Sequence, residues 1–286
     1  MKKSFLNLFA GIAVLAVLLG IAPVPAKADI KLGILPRLNA VELYTMFAPL
    51  AEYLSRETGG KVTIVIPKDF DAFKAAFNTG KMDLGFANPL IYVQLKKNAH
   101  LEPLAVSIEQ KAGAKFRGII ITRNDSGIEK LRDLKGRKLA FVEKNSAAGY
   151  IFQMLLLKKA GLDIQRDFTI LPFTKKHDNV VVAVFNRAAD AGGLREDDLE
   201  KMKDKVDLSK IKIIGYTDYF PNWPLFATPA VGKDRTERIK AALLKLKPAD
   251  PRTKAVLDPS RLDGFAPISD KDYDQLRHAA KLVGAL

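Results

Sequence analysis

The chain contains no cysteine. That excludes disulfides, thiolate metal sites, a cysteine nucleophile and a lipid-modified cysteine, so a packed core and hydrogen bonds must hold the fold. Histidine is scarce as well: His100, His177 and His278 are the only three, and no pair of them has metal-ligand spacing. There is no His-Glu-x-x-His, no glycine-rich nucleotide loop ending in Lys-Ser/Thr, and no Gly-x-Ser-x-Gly elbow. Ser146 is the one conceivable nucleophile, and no motif places a base beside it. These absences argue against an enzyme and against any metal or organic cofactor. Tryptophan occurs once, at Trp223. No fixed-period repeat and no low-complexity linker interrupts the sequence.

Only the N-terminus carries a long apolar run. "MKKSFLNLFAGIAVLAVLLGIAPVPAKADI" opens on Lys2 and Lys3, continues through an apolar stretch from Leu8 to Ala22, and breaks at Pro23 and Pro25. Ala26 and Ala28 then supply small residues at the positions a signal peptidase inspects. Residues 1–28 are therefore expected to be a cleaved secretory signal, and the mature protein to be periplasmic. The apolar stretch falls short of the roughly 20 residues that a membrane anchor needs.

Basic residues outnumber acidic ones, 46 to 32, and without Lys2, Lys3 and Lys27 the balance is 43 to 32. Such an excess suits nucleic acid, anionic membranes or small anions, and export removes nucleic acid from the set. Much of the charge alternates in sign, as in "LREDDLEKMKDKVD", and reads as a solvated helix face. A monomer is expected.

Along the mature chain strands and helices alternate. "IKLGILP" is a strand, and Leu43, Phe47, Leu50, Ala51 and Leu54 then recur at helical spacing up to Gly59-Gly60, with Pro49 predicting a start or bend. "KVTIVIP" and "KMDLGFAN" are strands around a short helix. Asn88 then caps a helix that Pro89 opens. "LEPLAVSIE" and "KFRGIIITRN" are strands in close succession, the second suited to a chain crossing. From there the pattern restarts. "IEKLRDLKG" and "EDDLEKMKDKV" read as helices, "RKLAFV", "DFTILPF", "ADAGGL" and "IKIIGYTDYF" as strands, and "KKHDNVVVAVFNRA" as a helix despite its valines. "PNWPLFATPAV" reads as the crossing back, and helices follow at Asp234–Leu246, Pro251–Leu257 and Asp270–Leu282. The implied fold is α/β with two lobes, each a mixed sheet flanked by helices. The first lobe takes residues 29–123 and, after the return crossing, 221–286. The second takes 124–220. A cleft between them is the natural ligand site.

One turn stands out. In "RKLAFVEKNSAAGYIFQMLLLKKAG" a strand gives way to small residues and then to an apolar helix. Ser146, Ala147, Ala148 and Gly149 leave the first N–H groups of that helix uncovered at the positive end of its dipole, which favours an anion. An ordinary cap by Ser146 or Asn145 explains the same residues.

The order of these motifs resembles the phosphate, phosphite and phosphonate binding proteins of ABC transporters, within the type II periplasmic solute-binding proteins. "LGILP", "FAPLAEYLSRETGGKV", "GKMDLGFANPLIYV", "NSAAG", "HDNVVVAVFNRAADAG" and "YFPNWP" are similar to the family's landmarks in sequence and spacing. The resemblance implies a Venus-flytrap protein that captures a small oxyanion and delivers it to a membrane permease. A sensory role beside a membrane kinase, with the same fold, is the alternative. The resemblance also implies a site: the helix start at Ser146–Gly149 and His177 from the second lobe, Asn88, Tyr92 and Tyr44 from the first, and Trp223 from the return crossing. Two departures stand in it. Ala147 and Ala148 occupy positions where the family carries hydroxyls, and Trp223 lies where relatives that hold an aminophosphonate place an acid. A larger, flatter or more apolar ligand is expected in consequence.

Overall fold

Two mixed β-sheets organise the chain in a computed structural model that describes residues 29–286, so the expected signal segment lies outside the described residues. The chain begins with β1 (Ile30–Ile34), α1 (Ala40–Thr58), β2 (Val62–Val65), α2 (Phe70–Asn78), β3 (Leu84–Phe86), α3 (Pro89–Lys96) and β4 (Glu102–Glu109). It passes through β5 (Lys115–Phe116) into β6 (Gly118–Arg123) and β7 (Lys138–Phe141), and then through a π turn (Ala147–Ile151) into α4 (Phe152–Lys159). β8 (Thr169–Ile170), α5 (His177–Phe185), β9 (Ala191–Arg195), α6 (Glu196–Glu200) and β10 (Ile211–Tyr216) follow. The return runs through β11 (Phe220–Pro221) to β12 (Pro224–Ala227), α7 (Lys233–Lys245), α8 (Pro251–Leu257), β13 (Leu262–Ala266) and α9 (Asp274–Leu282).

The first sheet has the order β13-β4-β12-β3-β1-β2 and the second β10-β6-β9-β7-β8. In each, parallel pairs (β1 with β2 and β3; β7 with β8 and β9) meet antiparallel strands supplied by the crossings. The two crossings pair with each other: β11 lies antiparallel to β5, Phe220 opposite Phe116. Phe220 stacks on Phe152 of α4, ring centroids 3.8 Å apart, and Phe116 packs on the same ring at 5.4 Å. The crossings are thus pinned to the start of α4 by aromatic contact.

Period-two alternation in β6 splits the second core. Ile119 and Ile121 pack with Val180, Val181 and Val184, whereas Ile120 packs with Leu139, Phe141 and Met154. Those valines are spaced to share one helix face, so α5 forms despite their β-branching. α1 runs unbroken through Pro49, because Leu43, Met46, Phe47, Leu50 and Leu54 bury one continuous face. It starts where Asn39 accepts the Glu42 N–H at 2.8 Å and stops at the left-handed Gly59 (φ 65°).

Several expectations need correction. β6 belongs to the second sheet, so that lobe takes in Gly118–Arg123, which a boundary at residue 124 gives to the first. "IEKLRDLKG" makes only a 3₁₀ turn at Leu131–Leu134, since Ile128, Leu131 and Leu134 repeat every three residues, the 3₁₀ period. "EDDLEKMKDKV" is helical only at Glu196–Glu200 and continues as turns. "DFTILPF" contributes two strand residues. β13 was not anticipated, because Asp263 and Gly264 interrupt its apolar alternation.

Candidate functional site

The carboxyl ends of strands from both sheets open onto one cleft, the usual location of sites in α/β sheets. β1 leads to Pro36 and Arg37, β3 to Asn88, and β4 ends at Glu109; β7 leads to Val142, Glu143 and Ser146–Ala148, and β9 ends at Arg195. These residues, with Phe70, Phe116, Lys175, His177, Asp198, Lys201 and Trp223, enclose about 350 Å³. A wider depression of about 560 Å³, lined by Lys96, His100, Thr228 and Lys233, lies at the other end of the first sheet, where β4 begins and β12 ends. It touches one lobe only, so a ligand there would not report on the relation between lobes.

The turn after β7 is shaped by competition for its carbonyls. Val142 N–H donates to Gly149 O at 3.1 Å, and Gln153 Nε2 donates to Ala148 O at 2.7 Å. Ile151 N–H therefore reaches back to Ser146 O at 3.1 Å, and the first turn widens to the π spacing. Ser146 Oγ accepts the Gly149 N–H at 3.1 Å, so the cap expected from the sequence is present and its hydroxyl hydrogen is free to donate. Ala147 and Ala148 line the cavity, and among the described residues no protein acceptor takes their N–H groups. Gly149 faces inward. A Cβ there would lie 2.5 Å from Val142 Cγ2, so this glycine serves close packing, and its own N–H belongs to the cap.

His177 opens α5 and lines the cavity. Its Nδ1 accepts the backbone N–H of Arg195 at 3.0 Å and stands 3.7 Å from Asp198 Oδ2. An Nδ1 that accepts cannot also carry the proton, so Nε2–H is the tautomer. Burial lowers the pKa of His177 below its ordinary value, with Asp198 partly offsetting it. The ring is thus a neutral donor. Asn88 accepts the Ile91 N–H through Oδ1 at 2.9 Å, and its amide NH₂ has no protein partner among the described residues.

Two expected residues stand elsewhere. Tyr92 is wholly buried in the first core, donates its hydroxyl to Asp270 Oδ1 at 2.6 Å and packs against Phe226 and Tyr273. It is a core tyrosine, as its place on an apolar helix face dictates. Tyr44 is exposed on α1 and does not line the cavity. Trp223 does line it, nine-tenths buried, with its ring 5.5 Å from Phe86 and the Arg37 guanidinium 5.1 Å from its centroid.

The charged residues of the cleft escaped the reading of the sequence. Arg195 holds Glu109 and Asp197, each at 2.6 Å, and the Glu109 contact joins the end of β4 to the end of β9 across the two sheets. Lys175 pairs with Glu143 at 3.2 Å, and Lys201 with Asp198. Arg37 is open to solvent on one side and walled in by the cleft on the others. That desolvation lowers its pKa, and Glu109 opposes the shift. The signal that could have found Arg37 is positional: it follows directly on the first strand's carboxyl end, in "LPR".

Two mixed-sheet lobes joined by paired crossings, with donors from both converging on the space between them, define a type II periplasmic binding protein. The chain belongs to the ABC transporter phosphonate periplasmic substrate-binding protein family, whose model matches residues 32–273. Among curated relatives it is 27% identical over 276 residues to the phosphate-import protein PhnD of Mycolicibacterium smegmatis, covering 90% of this chain and 86% of that one. It is also 27% identical over 229 residues to the tetrathionate sensor histidine kinase TtrS of Salmonella typhimurium; that match takes 74% of this chain and only 39% of the kinase, and does not favour the sensory alternative. The solved structure of PhnD1 from Prochlorococcus marinus in complex with methylphosphonate superposes with a TM-score of 0.72 at 21% identity, over 90% of this chain and 99% of that one.

Proposed function

We propose that the cleft captures a small oxyanion in the periplasm and that closure of the lobes around it presents the loaded protein to an ABC permease. The observation that carries this reading is the convergence of unpaired donors from both sides. Arg37 and the Asn88 amide come from the first lobe; the Ser146 hydroxyl, the Ala147 and Ala148 N–H groups and His177 Nε2–H come from the second. An anion that bonds both sets is bound more tightly by the closed form and draws the population to it. In this reading β5 and β11 are the hinge, residues 1–28 direct export, and the mature chain is a monomer that binds without chemistry. Ser146 and His177 are both engaged by backbone groups, and no hydrogen bond joins them as a nucleophile–base pair would.

Calorimetric titration with phosphate, phosphite and methylphosphonate tests the reading, with Arg37→Met beside the wild type. A bound oxyanion at about 100 times its Kd stabilises by roughly 2.7 kcal/mol. Arg37→Met is expected to weaken it about tenfold or more, since hydrogen bonds to charged groups are worth roughly 1.5–3 kcal/mol. Silence across oxyanions, or full affinity in Arg37→Met, overturns it.

A further inference from the structure

Four cations line the cleft: Arg37, Lys175, Arg195 and Lys201. Three are already matched by carboxylates. Lys175 Nζ lies 3.2 Å from Glu143, Arg195 is shared between Glu109 and Asp197 at 2.6 Å, and Lys201 donates to Asp198. Among the described residues Arg37 has no carboxylate within ion-pair distance; its guanidinium instead sits over the Trp223 ring. His177 is neutral and donates without adding charge. Four carboxylates thus balance the four cations, and Arg37 is the one lining cation among the described residues without an ion-pair partner, set on an aromatic wall with Phe70 and Phe116 also facing the cavity.

We infer that the ligand is a singly charged organic oxyanion with an apolar or aromatic substituent, of the sulfonate or phosphonate-monoester type, bound in preference to doubly charged phosphate or phosphonate. This rests on the reading of the cleft as an oxyanion site. One negative charge meets Arg37. A second finds no free cation and faces Glu109, Glu143 and Asp198 in the same space, where like charges repel. The cavity of about 350 Å³ is in the range of pockets that bury organic ligands.

Matched ligands separate charge from shape. Benzenesulfonate and the monomethyl ester of phenylphosphonate each carry one charge, whereas phenylphosphonate carries two at about pH 8, being above its second ionisation. Titration of the mature protein there is expected to give benzenesulfonate and the monoester about tenfold tighter binding or more than phenylphosphonate, like-charge juxtaposition being costly. Methanesulfonate should bind more weakly than benzenesulfonate. The gap between phenylphosphonate and benzenesulfonate should narrow as pH falls and phenylphosphonate takes up a proton. Benzenesulfonate keeps its single charge throughout, so it registers any contribution from His177 and the groups facing it, Asp198, Arg195, Lys201 and Asp178. Glu143→Gln, a change at a half-exposed pair that frees Lys175, should raise affinity for phenylphosphonate several-fold and narrow the gap further. Tighter binding of phenylphosphonate than of both monoanions at about pH 8, or methanesulfonate matching benzenesulfonate, overturns this inference and leaves the oxyanion site standing. Failure of every oxyanion to bind overturns the site itself.

Discussion

Ser146 holds two roles that substitution can separate. Its Oγ accepts the Gly149 N–H at 3.1 Å, and its hydroxyl hydrogen is left to donate into the cleft. Ser146→Ala removes both. Loss of the cap costs about 1 kcal/mol of stability, a fall in melting temperature of roughly 2–4 °C for a protein of this size. Loss of a donor to an anion costs roughly 1.5–3 kcal/mol of binding, or about ten- to a hundredfold in Kd. Ser146→Asp keeps a good capping oxygen at the positive end of the helix, so stability should stay within about 0.5 kcal/mol of wild type. Its carboxylate then occupies the cleft and should abolish oxyanion binding. Urea unfolding gives the first quantity and calorimetric titration the second. Wild-type affinity in Ser146→Asp refutes the placement of the anion at this helix start, whatever happens to stability. Unchanged affinity in Ser146→Ala would reduce the serine to a cap alone.

A pH series tests the neutral His177. Its folded pKa lies below the ordinary value, so as pH falls through about 6.5 the unfolded chain takes up a proton that the native ring refuses. Stability is then lost on acidification, and wild type should lose more than His177→Gln between about pH 7.5 and pH 5 in parallel urea titrations; a difference that stays constant or moves the other way refutes the neutral ring. Tyr92→Phe deletes the hydroxyl that donates to Asp270 at 2.6 Å. It should cost about 1–2 kcal/mol of stability and leave affinity unchanged, and weakened ligand binding would return Tyr92 to the site.

The alternation of strands and helices was legible because each element has its own period. β6 reads as strand from its run of isoleucines, and α5 reads as helix despite valines that would also suit a strand. What escaped was set by tertiary partners. Lys115, Phe116 and Phe220 were read as parts of longer strands, and their separation into the short pair β5 and β11 exists only because the crossings meet. β13 depends on the edge that β4 presents. In the site, Asn88, Ser146, Ala147, Ala148, His177 and Trp223 could be placed from motif and position. Arg37, Lys175, Arg195 and Lys201 could not be told from the other basic residues of a basic chain. The place of Arg37 directly after the first strand was a local signal for its position, but its missing carboxylate is a fact of three-dimensional neighbourhood.

The small residues of "NSAAG" answer to packing before they answer to a ligand. Ala147, Ala148 and Phe152 share one core cluster with Phe116, Phe220 and Trp223, so this turn is wedged between the crossings and the second sheet. Behind it Gln153, wholly buried, shares its two Nε2 hydrogens among three carbonyls, Ala148 O at 2.7 Å, Leu194 O at 3.0 Å and Ile119 O at 3.2 Å. Those carbonyls belong to the turn, to the strand that ends at Arg195, and to the strand that follows the first crossing. Glycine makes the arrangement possible: a Cβ on Gly118 would stand 2.3 Å from Gln153 Nε2, and one on Gly193 would stand 2.9 Å from its Cγ. The position of the Ala147 and Ala148 N–H groups is therefore tied through one amide to β6, which follows directly on β5, and to the backbone that orients His177. In a close-packed interior such ties move together, which is what the proposed closure of the lobes requires of its site.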